Sequence, residues 1–144
     1  SPSNIYGIGD NFDPHSSHFV PAMIRKIHEA SDGDTIEFWG TGNPLRQQLY
    51  VDDLVRIIPF LMKNHNTDSP MIISPDENLS IKQMIEIFLK SVKKDVKIAF
   101  NNKLDGQHRK DGSNQQFKNL YGEFEFTKFE DGVLETYEWY RNTK

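Results

Sequence analysis

The segment Trp39-Gly40-Thr41-Gly42-Asn43-Pro44-Leu45-Arg46 holds the residue types richest in chemistry. An aromatic ring at a strand end, a flexible loop and a guanidinium form a set that can stack a planar base and grip a phosphate. Arg suits the second task because its planar fork makes paired hydrogen bonds to phosphate oxygens. Residue types alone favour a plainer reading, a core Trp and a surface Arg. The two glycines are not a dinucleotide fingerprint, since the third glycine and the following helix start are missing. Further on, Asp105-Gly106-Gln107-His108-Arg109-Lys110 joins a turn to a basic cluster. Such a cluster can bind an anion, although a charge run in a loop is usually solvated.

His15 and His18 are spaced for a metal, but no Cys and no further cluster of His and carboxylates stands near them, so no metal site is expected. His15 reads as solvated, and His18, at a helix start, either points into a pocket or caps locally. Asp52 and Asp53 resemble a catalytic pair. Adjacent helical residues point in different directions, however, so the favoured reading is an acidic helix N-terminus. Lys90, Lys93 and Lys94 read as a solvated helix end, where positive charge is favourable. The aromatic residues of 121–129 are not spaced as a nucleic-acid platform and read as packing.

These groups need a scaffold. The 144 residues are 36% hydrophobic with 10 Phe, which is too apolar for disorder from end to end and enough for one domain or part of a larger one. Seventeen basic against 21 acidic side chains argue against a dedicated nucleic-acid binder. The longest apolar cluster, 54–62, contains Arg56 and Pro59 and falls short of a membrane span. The absence of Cys excludes disulfides and thiol catalysis and fits a cytoplasmic location.

A first helix is expected over 17–30, capped by Ser17, with Pro21 in its first turn and Val20, Met23, Ile24 and Ile27 on one stripe. Alternation predicts strands at 35–39, 47–51 and 95–100, and a short buried strand at 71–74. A helix follows Asp52 and Asp53, with Pro59 either kinking it or marking its real start. Ser80 and Gln83 form a capping box for a helix over 80–92. Residues 101–119 read as a polar stretch. Thr127 and Glu130 form a second capping box before a last helix with Phe129, Val133, Tyr137 and Tyr140 on one side. Strands alternating with helices give an α/β or mixed α+β class. The chain opens in what reads as the end of a strand, Ser1-Pro2-Ser3-Asn4-Ile5-Tyr6-Gly7, running into a Gly-rich loop, which fits a fragment.

Taken together, Ser1-Pro2-Ser3-Asn4-Ile5-Tyr6-Gly7-Ile8-Gly9-Asp10-Asn11-Phe12, Ser17-His18 with Pro21-Ala22, the 38–46 segment, Tyr50-Val51-Asp52-Asp53-Leu54, Asp105-Gly106 with Arg109-Lys110, and Gly132-Val133-Leu134-Glu135-Thr136-Tyr137-Glu138-Trp139-Tyr140 resemble the C-terminal half of GDP-L-fucose synthase. That family belongs to the extended short-chain dehydrogenase/reductases. The resemblance implies that residues 1–144 are the substrate-binding portion of a Rossmann-type enzyme. Its other half would hold NADP and a Tyr-xxx-Lys acid/base pair upstream of Ser1. Tyr6 is followed at that spacing by Asp10 and Tyr137 by Arg141, so the pair is expected to be missing here.

By resemblance, Pro2, Ser3, Asn4 and Ile5 border the nicotinamide. His18 lies near cofactor and substrate as the candidate acid in epimerisation. Lys26, Trp39, Arg46 and Asp105 contact the GDP-sugar, with Lys110 a further candidate for phosphate. The implied enzyme epimerises a GDP-4-keto-6-deoxy-mannose, reduces it with NADPH, and is commonly a homodimer. The chain departs from the family pattern at Ser74-Pro75-Asp76-Glu77-Asn78, at Gln107-His108 and over 111–116. This leaves open another sugar, such as a GDP-deoxyheptose, or a non-catalytic nucleotide-sugar binding module.

Overall fold

A computed structural model describes residues 4–65, 70–110 and 112–143. Its elements run β1 (Asn4–Tyr6), α1 (Phe19–Glu29), β2 (Thr35–Phe38), β3 (Leu45–Arg46), β4 (Gln48–Tyr50), α2 (Val51–Asn64), β5 (Leu79–Ser80), α3 (Ile81–Val92), β6 (Lys97–Phe100), α4 (Gln115–Tyr121) and α5 (Phe129–Thr143). The class is mixed α/β, as the alternation of the sequence implied. Among the described residues the strands pair two by two. β1 runs parallel to β4 with Ile5 opposite Leu49, and β2 runs parallel to β6 with Phe38 opposite Phe100. β3 pairs antiparallel with β5, Arg46 opposite Leu79.

The apolar stripe of α1 buries Val20, Met23, Ile24 and Ile27 against Met84, Ile85 and Phe88 of α3 and Phe129, Val133 and Tyr140 of α5. A second cluster joins Leu49, Ile57, Met71, Ile73 and Phe117, with Tyr121, Phe124 and Phe126 packed on it, so the 121–129 aromatics do serve packing. The capping box of α3 is complete: Gln83 N donates to Ser80 Oγ and Ser80 N to Gln83 Oε1.

Several expectations are corrected. His18, not Ser17, occupies the N-cap of α1, with no side-chain cap bond. α2 begins at Val51 and runs through Pro59, so Pro59 does not mark its start. Residues 71–74 form no strand, Ile73 making a single bridge only, because Met71 and Ile73 serve the second cluster while Asn114 Nδ2 takes the Ser74 carbonyl. α4 begins inside the stretch read as polar and runs past its end to Tyr121, where Phe117 and Tyr121 stack at 5.3 Å. Lys94 is not simply solvated: its ammonium donates to Ile27 O and His28 O and so caps the C-terminus of α1.

The second capping box does not form as read. Thr127 donates instead to Asp53, its N–H to Oδ2 and its hydroxyl to Oδ1, both at 2.7 Å. Asp53 is fully buried and also accepts from Arg56. It is therefore more than an acidic helix start, because it ties the beginning of α2 to the entry of α5.

Candidate functional site

Parallel pairing of β2 with β6 forces their C-terminal ends to emerge side by side, so the two loops that follow must meet. Asn101 N donates to Phe38 O and Asn102 N to Gly40 O, extending the ladder beyond the strands. Gly40 N then donates to Asn101 Oδ1 at 2.9 Å. Asp105 completes the clamp: Thr41 N donates to its Oδ1 at 2.9 Å and Thr41 Oγ1 to its Oδ2 at 2.6 Å. A glycine is required at position 40, where φ is +87° and a Cβ would run into Asp105 Oδ1. The Thr41 hydroxyl and N–H hold the Asp105 carboxyl below its ordinary range, with smaller help from His108 and Arg46.

Trp39 stands at this junction with 63% of its surface exposed. The core position favoured by residue type is thus overturned, because Phe38, its neighbour in sequence, fills the core-facing position at the end of β2. Arg46, on β3, donates from Nη1 to Leu45 O and is partly buried. That burial lowers its pKa, opposed by the nearby Asp105, and a guanidinium stays charged regardless. A parallel bridge joins Leu45 to Arg109, and Leu45 N donates to His108 O. Arg46 and Lys110 are the residues that follow that bridge on the two segments. The basic cluster is therefore docked beside β3.

Lys26 projects from α1 to the same strand end, its ammonium 3.3 Å from Glu37 O and 4.9 Å from the centroid of Phe38. His18 is exposed at the start of that helix. Eight residues separate the two, about 12 Å along the axis. Trp39, Arg46, Asp105 and Lys26 thus gather at one strand end, whereas His18 stands two turns away.

Asn4 and Ile5 lie on β1, both exposed; Pro2 and Ser3 fall outside the described residues. Beside Ile5, residues 6–10 and Val51 line a cavity of about 150 Å³, and Asp10 Oδ2 is buried with no hydrogen-bond partner among the described residues. The cavity is small for a dinucleotide, since even drug-sized ligands occupy roughly 300–1,000 Å³. Gly7 and Gly9 lead into α1 only at Phe19, so no helix N-terminus follows them closely enough to take a pyrophosphate. Among the described residues, this segment offers no cradle for a whole dinucleotide.

One Tyr-xxx-Lys spacing does occur, Tyr140 with Lys144, contrary to the expectation that the sequence has none. Tyr140 is buried and stacked on Phe12 at 4.3 Å, and burial raises its pKa, the wrong direction for an acid/base phenol at neutral pH. Lys144 lies outside the described residues. Among the described residues no group of three or more His, Cys, Asp or Glu side chains could hold a metal, and no helix is long and apolar enough to cross a membrane. Sequence reading missed Thr41, Lys103 and Leu104. The Gly-Thr-Gly loop was visible, but its partner Asp105 lies 64 residues away.

The chain is a member of the NAD dependent epimerase/dehydratase family, whose model matches residues 1–74. Within it, the chain is similar to a probable GDP-L-fucose synthase 1 of Oryza sativa subsp. japonica, 35% identical over 142 residues, which cover 96% of this chain and 43% of the relative. A crystal structure of a GDP-L-fucose synthetase from Naegleria fowleri bound to NADP superposes with a TM-score of 0.92 at 30% identity, covering 99% of this chain and 46% of that one. A GDP-6-OMe-4-keto-L-xylo-heptose reductase from C. jejuni reaches 0.86 at 21% identity over 99% of this chain and 53% of its own, a likeness of fold alone. The chain spans under half the length of the Oryza and Naegleria relatives.

Proposed function

We propose that residues 1–144 are the substrate-binding portion of an NADP-dependent GDP-4-keto-6-deoxy-mannose epimerase/reductase, and that they hold the nucleotide end of the substrate. The observation that carries this reading is the exposed Trp39 ring, fixed at the strand end beside Asp105, with Arg46 in the same electrostatic neighbourhood. Trp39 stacks the base, and Arg46, with Lys26 and Lys110, neutralises the diphosphate. Asp105 holds the Trp39 loop through Thr41 and keeps lone pairs for a base or sugar hydroxyl.

Binding at this end would fix the sugar near the start of α1, where His18 serves as the acid in epimerisation. Asn4 and Ile5, with Pro2 and Ser3, border the nicotinamide, whose chemistry when bound is hydride delivery. The main cofactor cradle and the acid/base pair belong to the remaining length that the relatives possess, so this chain alone binds substrate without turning it over. The parent enzyme is cytoplasmic and homodimeric. Support comes from the family membership, the similarity to GDP-L-fucose synthases over nearly the whole chain, and the chemistry of the strand-end surface.

Calorimetric titration with GDP-, UDP- and dTDP-linked ketosugars tests the reading. The GDP-linked ligand is expected to bind about tenfold or more tightly than the others, a difference of roughly 1.4 kcal/mol. Equal affinities, or a preference for UDP, would sink it.

A further inference from the structure

Trp39 is exposed but not loose. Its Nε1 donates to Leu104 O at 2.9 Å, and the ammonium of Lys103 lies 5.0 Å from its ring centroid. The turn that carries both groups is itself pinned. Lys103 N and Gly40 N both donate to Asn101 Oδ1, and Asn102 adopts a left-handed φ of 55° while its N–H reaches Gly40 O. With Nε1 satisfied by Leu104, the indole offers a ligand only its faces and edges.

Lys103 is a poor stabiliser of the fold in this place. An exposed cation–π contact contributes little, and ordering a four-carbon stem costs side-chain entropy of comparable size. The same turn also presents Leu104 with 89% of its surface exposed, an apolar side chain that the described residues leave almost uncovered. An exposed ring, a cation over it and a bare aliphatic side chain on one rigid turn form a surface for a planar ligand that carries oxygen acceptors.

Resting on the nucleotide reading above, we propose that Lys103 is a further ligand-contacting residue of this surface. Its ammonium fixes the indole plane and donates to an oxygen of the nucleotide stacked there, while Leu104 walls the base. That oxygen belongs either to a base carbonyl or to the diphosphate, and guanosine and GDP as separate probes distinguish the two.

The test uses the full chain with Trp139→Phe, which leaves Trp39 as the only one of the two tryptophans. Quenching of its fluorescence follows titration with GDP and with guanosine in the otherwise unaltered chain, in Lys103→Met and in Lys103→Arg. Lys103→Met is expected to weaken GDP about 3- to 10-fold at an unchanged melting temperature, with Lys103→Arg restoring affinity to within about twofold. Equal weakening for guanosine assigns the contact to the base, and weakening for GDP alone assigns it to the phosphates. If the parent chain binds GDP but Lys103→Met binds both probes unaltered, Lys103 has no such role and the nucleotide reading survives. If the parent chain binds neither probe, both fall.

Discussion

Two aspartates in this chain do the same thing in different surroundings. Asp53 and Asp105 each accept one hydrogen bond from the backbone N–H of a threonine and another from its hydroxyl, Thr127 in the first case and Thr41 in the second. Asp53 is fully buried between α2 and α5 and carries Arg56 as a counter-ion. Asp105 stands at an open strand end, among Trp39, Arg46 and Lys103. The clamp is the same, and burial decides what it is for. Where water is excluded, removing the carboxylate strands two donors and costs the fold. Where water has access, the donors are resolvated, and the loss falls on the placement of the loop.

The comparison breaks most sharply at the buried site. Asp53→Ala should destabilise the chain by about 2–4 kcal/mol, because the Thr127 donors and the Arg56 charge lose their partner. In a chain of this length, that lowers the melting temperature by roughly 6–15 °C in a thermal melt. Arg46→Ala should leave the melt nearly unchanged and weaken GDP by on the order of 1–3 kcal/mol, read by calorimetry. An unaltered affinity removes Arg46 from the site.

An effect on stability below that at Asp53 is expected at Gly132, where α5 meets Tyr6 and Tyr50. A Cβ there would run into the buried Tyr6 hydroxyl and ring, so Gly132→Ala should lose about 1–3 kcal/mol from overpacking despite its gain in helix propensity. Urea unfolding reads that balance, and a stabilised variant would show that the helix shifts freely.

The smallest effect is in pH. Asp105 has a depressed pKa, so its clamp is fully present above the ordinary value of 3.8 and is lost only as pH falls through the lower folded value. Trp39 emission, followed below pH 5 in the Trp139→Phe background, should change with a midpoint under 3.8. Thr41→Val removes the hydroxyl donor and should move that midpoint upward.

What the sequence made legible was local. The capping box of α3 involves residues three apart, and its stripe repeats every three or four, so both could be read directly. The stripe of α1 and the alternation of β2 and β6 were legible for the same reason. α4 escaped because its two core aromatics, Phe117 and Tyr121, sit in a polar frame, and their partners Phe124 and Phe126 lie beyond a turn. β3 and β5 are two-residue strands held by each other, without enough length to show a period. The Thr127 reading went to a neighbour three residues on, while the true partner was 74 residues away. In the candidate site the residues that resembled a known family were legible one by one. The turn that presents Trp39 was not, because it exists only where β6 lies beside β2.

The most direct test is GDP titration of the unaltered chain and of Asp105→Ala, with a thermal melt of each. Saturable binding by the unaltered chain, about tenfold or more weakened in Asp105→Ala while the melting temperature moves by no more than about 2 °C, is the predicted result. An Asp105→Ala chain that melts early yet binds GDP with undiminished affinity would contradict it, making Asp105 a fold-holding residue like Asp53 and leaving the strand-end loops without the ligand.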